Sequence, residues 1–333
     1  MSQADTPLQP ILAARWPVKV DIAVYMVIGL SAVVLRWTSQ AHVSWLPFWA
    51  PWEFSFVEYL SGWLGLFWYL RGLARTPAAE RPSFGRKLAF FAGLALIYAV
   101  METRYEYLAE HQFFFNRIQH VAMHHIGPLL LALAWPGETL LRGMPPWVKR
   151  VVTHPIIARP VHYIQQPILA GLLFVGLVAF WLIPSIHFRA MIDPRLFALM
   201  NWSMVVDGIL FWVLVLDPRA KPPARVSFGG RAALSMLTVF PQIGIGAWIA
   251  FSARDLYPFY DLCGRIYPEL GAHYDQTVGG LIIWIPPAMM GALGLLLVLN
   301  FLRKVEEKEE RHIHDGSEEQ TDGIVIQSSG WTG

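Results

Sequence analysis

The sequence predicts an all-α, polytopic membrane helical bundle of about eight transmembrane helices, with both termini in the cytoplasm. Three observations predict it. Hydrophobic residues make up 55% of the 333 and charged residues only 15%, a balance foreign to an ordinary soluble globule. Several stretches near 20 residues carry few charges, which is long enough to cross a bilayer core. Lys and Arg gather in alternate connections between those stretches, the bias that sets membrane orientation.

Residues 1–20 form a polar, proline-containing segment with Arg15 and Lys19 ahead of the first apolar run. No small-residue cleavage site follows that run, so it is expected to be a retained anchor rather than a signal peptide. The predicted spans are 21–38, 54–73, 86–106, 113–135, 164–184, 196–216, 231–252 and 277–302, one helical domain over 21–303. Glu58 and Asp207 interrupt the second and sixth. Residues 304–333, rich in Glu, Lys, Ser and Gly, are expected to form a disordered cytoplasmic tail. One cysteine, Cys263, leaves no internal disulfide and no Cys-based metal cluster.

Orientation follows from the connections. The N-terminal segment holds Arg15 and Lys19, and the 2–3 connection Arg71, Arg75, Arg81, Arg86 and Lys87. The 4–5 connection adds Arg142, Lys149, Arg150 and Arg159, the 6–7 connection Arg219, Lys221, Arg225 and Arg231, and the tail Arg303, Lys304, Lys308 and Arg311. The opposite connections hold only Arg104, Arg189, Arg195, Arg254 and Arg265, so the split is 19 to 5. A missed span would invert every later loop, so the alternation supports an even helix count with cytoplasmic termini. The outer face is then aromatic, with Trp45, Phe48, Trp49 and Trp52, as at a membrane interface. Glu102, Glu106 and Glu110 recur every four residues there, which reads as a solvated helical face or as a negative rim that attracts cations.

The most informative stretch is Asn116 to Pro128, NRIQHVAMHHIGP. On a helix His120 and His124 share a face that Asn116 and Gly127 extend, with Met123 beside it. His120 lies roughly 10 Å from the outer end at 1.5 Å per residue. Span 6 adds Asn201, Met204 and Asp207, and His273 lies in the outer loop above. Imidazole and thioether suit copper, particularly Cu(I). The candidate metal set is therefore His120, His124, Met123, Met204, Asp207 and His273, with copper as the expected metal. The alternative is that these histidines join helices as hydrogen-bonded packing residues and that the methionines fill core space. Asp207 needs a partner at that depth, for which Arg117 or a span-4 histidine is available. Other chemistries recede. A bis-His haem draws ligands from two helices, and only span 4 carries intramembrane histidine. HExxH, P-loop and GxSxG patterns are absent.

Several blocks resemble the CtaG family of membrane proteins linked to assembly of caa-type cytochrome c oxidase. They are Gln119-His120 with Pro128 eight residues on, His154-Pro155, Trp181 to Pro184, and Ser203, Gly208 and Trp212. LYPFY at Leu256–Tyr260 and DQTVGGLIIW at Asp275–Trp284 complete the series, over roughly residues 110–303. The chain departs from the family at several polar positions: Asn116, Leu182, Phe197 and Asn201 stand where relatives often carry histidine, and Met200 stands at the glutamate of their H-x-x-E-H. The resemblance implies a non-enzymatic assembly factor in a bacterial inner membrane, multi-pass and lipid-embedded. Its implied partners are cytochrome c oxidase subunits and periplasmic copper chaperones, with copper presented on the periplasmic side and no nucleic acid. A copper transporter and a membrane enzyme of unknown chemistry are the alternatives.

Overall fold

The computed structural model describes residues 18–322; the N-terminal segment and the end of the expected tail fall largely outside them. Every regular element among the described residues is helical. In order they are α1 (Val18–Ala41), α2 (Phe56–Arg75), α3 (Phe84–Met101), α4 (Tyr105–His111), α5 (Phe113–His120), a π-helical segment Val121–Ile126, and α6 (Gly127–Ala134). There follow α7 (Gly137–Gly143), α8 (Pro146–Val152), α9 (Pro155–Ile164), α10 (Pro167–Trp181), α11 (Pro184–Ile192) and α12 (Pro194–Val215). The last are α13 (Phe228–Leu237), α14 (Val239–Phe251), α15 (Phe259–Cys263) and α16 (Ala272–Asp322). Helix occupies each of the predicted spans. Five stretches are long and apolar enough to cross a membrane: α1, α3, α12, α13 with α14, and α16. A sixth follows if α9 and α10, bent by 80°, count as one. α16 continues to Asp322, through the first part of the expected tail.

Helix starts follow local chemistry. Ser55, Ser83, Asp193 and Ser227 accept a backbone N–H in the first turns of α2, α3, α12 and α13. Proline opens α8 through α12, where its missing N–H goes unused. The predicted third span, 86–106, stops at Met101; a turn intervenes and α4 starts anew at Tyr105. Glu102 and Glu106 are consequently buried, so they do not form a solvated face.

The predicted fourth span is not one regular helix. Its middle widens into the π segment just before Pro128. A proline ring collides with the carbonyl four residues back, here that of His124, and a wider turn relieves the collision. That carbonyl is approached from the other side by α12. A Cβ on Gly208 would lie 2.4 Å from His124 O and 3.0 Å from Pro128 Cγ, so only glycine lets the backbones meet. The widening also divides the predicted one-face stripe. Gly127 packs on Ile97 of α3, whereas His124 faces α12. Packing of α14 on α16 relies on equally close backbones: a Cβ on Gly280 would sit 2.6 Å from Gly246 O.

The core has two main layers. One lies around Met123, Trp181, Met200, Met204, Tyr257 and Tyr260. The other holds Leu129, Phe174, Phe211, Trp212 and Val215. At the first layer's end the expected outer connections meet. At the opposite end, arginines of the basic connections tie loops together: Arg71 pairs with Asp21, Arg75 donates to Arg142 O, and Arg231 donates to the carbonyls of Asp217 and Arg219.

Candidate functional site

Between the two layers, α5, the π segment, α12, α14 and α16 enclose a cavity of about 20 Å³, room for a single water or ion. Arg117, His120, His124, His125, Met204 and Gln242 line it. His120, His124 and His125 are all buried. His124 Nε2 lies 3.1 Å from Asp207 Oδ2. With the imidazole N–H donating to the carboxylate, Nδ1 keeps its lone pair, and it has no protein partner. His120 Nε2, His125 Nδ1, Gln242 Oε1 and Arg117 Nε are likewise buried without a partner. Each such group costs about 1–3 kcal/mol if nothing meets it. The His124 ring stacks on Phe174 at 4.3 Å, and Phe174 on Phe211 at 3.7 Å, so aromatic rings close the site toward the second layer.

Four of the six predicted ligands come together here: His120, His124, Met204 and Asp207. Asp207 faces the bundle, as a carboxylate at that depth must. It orients His124 rather than lining the cavity. Met123 is fully buried in the first core layer, turned off the cavity by the π segment. His273 is exposed at the start of α16, away from the set. Among the described residues no three His, Cys, Asp or Glu side chains converge as a metal site. Any site here must therefore use thioether or water beside two imidazoles.

Arg117 does not pair with Asp207. It donates to Asn116 Oδ1 and lies over the Phe113 ring, 5.1 Å from its centroid. Sequence reasoning missed Gln242 as a lining residue, although an amide alone in an apolar span is a detectable signal. The predicted spans 164–184 and 196–216 leave His187 in the connection between them. His187 is buried on α11, its Nδ1–H donating to Trp181 O at 3.2 Å and its Nε2 meeting Tyr260 OH at 2.9 Å. Burial first, then Arg117, holds its imidazole well below the usual range.

The blocks that carry the resemblance are mostly joints around this site. Asp275 accepts the Phe113 and Phe114 N–H groups at 3.0 and 2.7 Å, capping α5 from a distant helix, and pairs with Arg265. Gln276 accepts the Leu256 N–H and donates to Ile249 O. Tyr257 OH donates to Leu182 O, Trp181 Nε1 to Ser203 Oγ, and Gln119 to Val100 O. Asn116 and Asn201 are buried, and neither polar atom of the Asn201 side chain finds a partner among the described residues.

Neither the curated proteins nor the solved structures contain a match to this chain. A protein-family model described as cytochrome c oxidase caa3 assembly factor matches residues 67–304. That stretch spans most of the chain and holds the cavity and every joint above, so the chain belongs to the cytochrome c oxidase caa3 assembly factor (Caa3_CtaG) family.

Proposed function

We propose that this chain is a non-enzymatic assembly factor for cytochrome c oxidase, with copper as its cargo. It sits in a bacterial inner membrane with both termini cytoplasmic, and presents the ion from the periplasmic side. The oxidase part rests on the family to which the chain belongs. The copper part rests on one observation: His124 gives its Nε2–H to Asp207 and leaves Nδ1 free beside His120 and Met204. A carboxylate that fixes the far nitrogen of an imidazole is the usual support of a metal-ligating histidine. Two imidazoles and a thioether form a donor set suited to Cu(I). Asp207 and Gly208 then act as positioning residues, and His125 and Gln242 complete the wall.

Presentation at one face is favoured over transport through the bundle. Beyond His124 the path meets Phe174 and Phe211, stacked on each other, and Trp212 edge-on to both, all without ligating groups. Copper loading of the purified full-length protein tests the reading. It should bind about one Cu(I) per chain, and His120→Ala, His124→Ala and Met204→Leu should each lose it. Copper moving into vesicles at a rate dependent on the protein would favour the transporter instead. Failure of the folded wild type to retain Cu(I) would remove copper from the account and leave the family's role in assembly.

A further inference from the structure

Apart from the histidine cavity, and independent of the copper reading, a larger cavity of about 560 Å³ opens where α1 ends and α2 begins. Glu53, Glu58, Glu106 and Glu110 line it against one guanidinium, Arg36, whose Nη1 donates to Phe54 O. Glu58 also lines an adjoining cavity of about 190 Å³ whose wall includes Glu102. Five carboxylates thus follow one another from the rim inward. Among the described residues the inner ones have no partner. Glu102 is 4% exposed and neither oxygen accepts a hydrogen bond. Glu106 is 6% exposed, lines the large cavity, and makes no ion pair or side-chain hydrogen bond. Burial first, with neighbouring carboxylates, pushes Glu106 well above the carboxylate range; burial, then Glu53, raises Glu110 to about 7. Unfilled, such a cluster holds protons it would release to a cation.

The geometry narrows the cation. No three of these carboxylates converge as a metal site, so a bare metal ion does not satisfy them. The volume far exceeds the roughly 30 Å³ that one water occupies in the liquid. The rest of the wall is mixed: Trp52, Phe54, Met191 and Phe197 supply apolar surface, and Ser39 and Gln40 supply hydrogen-bonding groups. One face of Trp52 already carries a cation, the Arg104 guanidinium at 4.2 Å. Several anionic groups sharing one cavity with apolar and aromatic surface match ammonium groups joined by methylenes. We infer that this cavity is a binding site for a small organic polycation of the polyamine class, seated between α1, α2, α4 and α12.

The test is calorimetric titration of spermidine into the full-length protein in detergent, with MgCl2 at matched ionic strength as the comparison. Saturable spermidine binding is expected, with MgCl2 producing no comparable site. Glu106→Gln keeps the shape of the side chain, and Glu110→Gln changes only a half-buried rim residue; each should weaken binding about tenfold or more. Helix content and elution as a single species establish that both variants are folded. The proposal is overturned if the folded wild type binds no spermidine, if MgCl2 binds equally well, or if both variants keep wild-type affinity.

Discussion

Replacing Gly208 by alanine should disrupt the histidine site without touching any of its side chains. The added Cβ would stand 2.4 Å from His124 O and 3.0 Å from Pro128 Cγ. Ordinary contact begins near 3.4 Å, so α12 must retreat by about 1 Å from a backbone that Pro128 already constrains. Asp207 is the adjacent residue and moves with it. Its 3.1 Å bond to His124 would lengthen beyond hydrogen-bonding range. Overpacking against backbone costs about 1–3 kcal/mol, and the orphaned buried pair adds about 1–3 kcal/mol. The expected loss is therefore about 2–6 kcal/mol, together with loss of copper binding. Thermal unfolding of the purified protein in one detergent measures it, with Gly176→Ala as the control, since nothing lies within 4 Å of a Cβ there. Equal stability of the Gly208→Ala and Gly176→Ala variants would refute the close approach of α12 and the π segment.

Other outcomes follow from the same contacts. Asp207→Asn should impair oxidase maturation far more than Glu310→Gln on the exposed part of α16, as oxidase activity in complemented cells will show. Asp275→Ala orphans the Phe113 and Phe114 N–H groups and takes one carboxylate from Arg265, which keeps Asp261; about 1–3 kcal/mol of stability should go, read by the same unfolding assay. Burial, then Glu58, raises Glu102 to about 8, against 4.5 when unfolded. The unfolded chain therefore holds fewer protons across that window, and stability should fall as pH rises from about 4.5 to 8. Glu102→Gln should flatten this decline, and identical pH profiles would contradict it. Cys263 is exposed on α15, so an impermeant thiol reagent should label it in intact spheroplasts; labelling only after lysis would place that loop in the cytoplasm.

The helical stretches were legible because apolar length and alternating basic connections are properties of sequence alone. The interruption at Val121–Ile126 was not, although its cause was visible as Pro128 four residues after His124. A regular 3.6-residue period put Gly127 on the histidine face; the wider turn sends it to α3. The glutamates misled similarly. Their spacing of four implies one outward face only if the helix is continuous, and α3 ends before Glu102. Asp207 could be placed because a carboxylate in an apolar span has few tolerable surroundings. Its partner could not be chosen from the sequence, since Arg117 lies on the same segment and binds Asn116 instead. The predicted spans leave both His187 and His273 in outer connections. Only the fold turns the first onto Tyr260 and leaves the second exposed. The motifs of the last third gave the family, while their role as joints appears only when Asp275 and Gln276 are seen to hold α5 and the end of α14.

The central claim is that the buried imidazoles serve oxidase maturation rather than packing. The measurement that tests it most directly is cytochrome c oxidase activity in a strain lacking the wild-type gene and carrying His120→Ala. Membrane content of the variant is measured alongside. Activity should fall while the variant stays in the membrane at normal level, and added copper should restore part of it. Normal oxidase activity with His120→Ala would contradict the account and leave His120 as a packing residue.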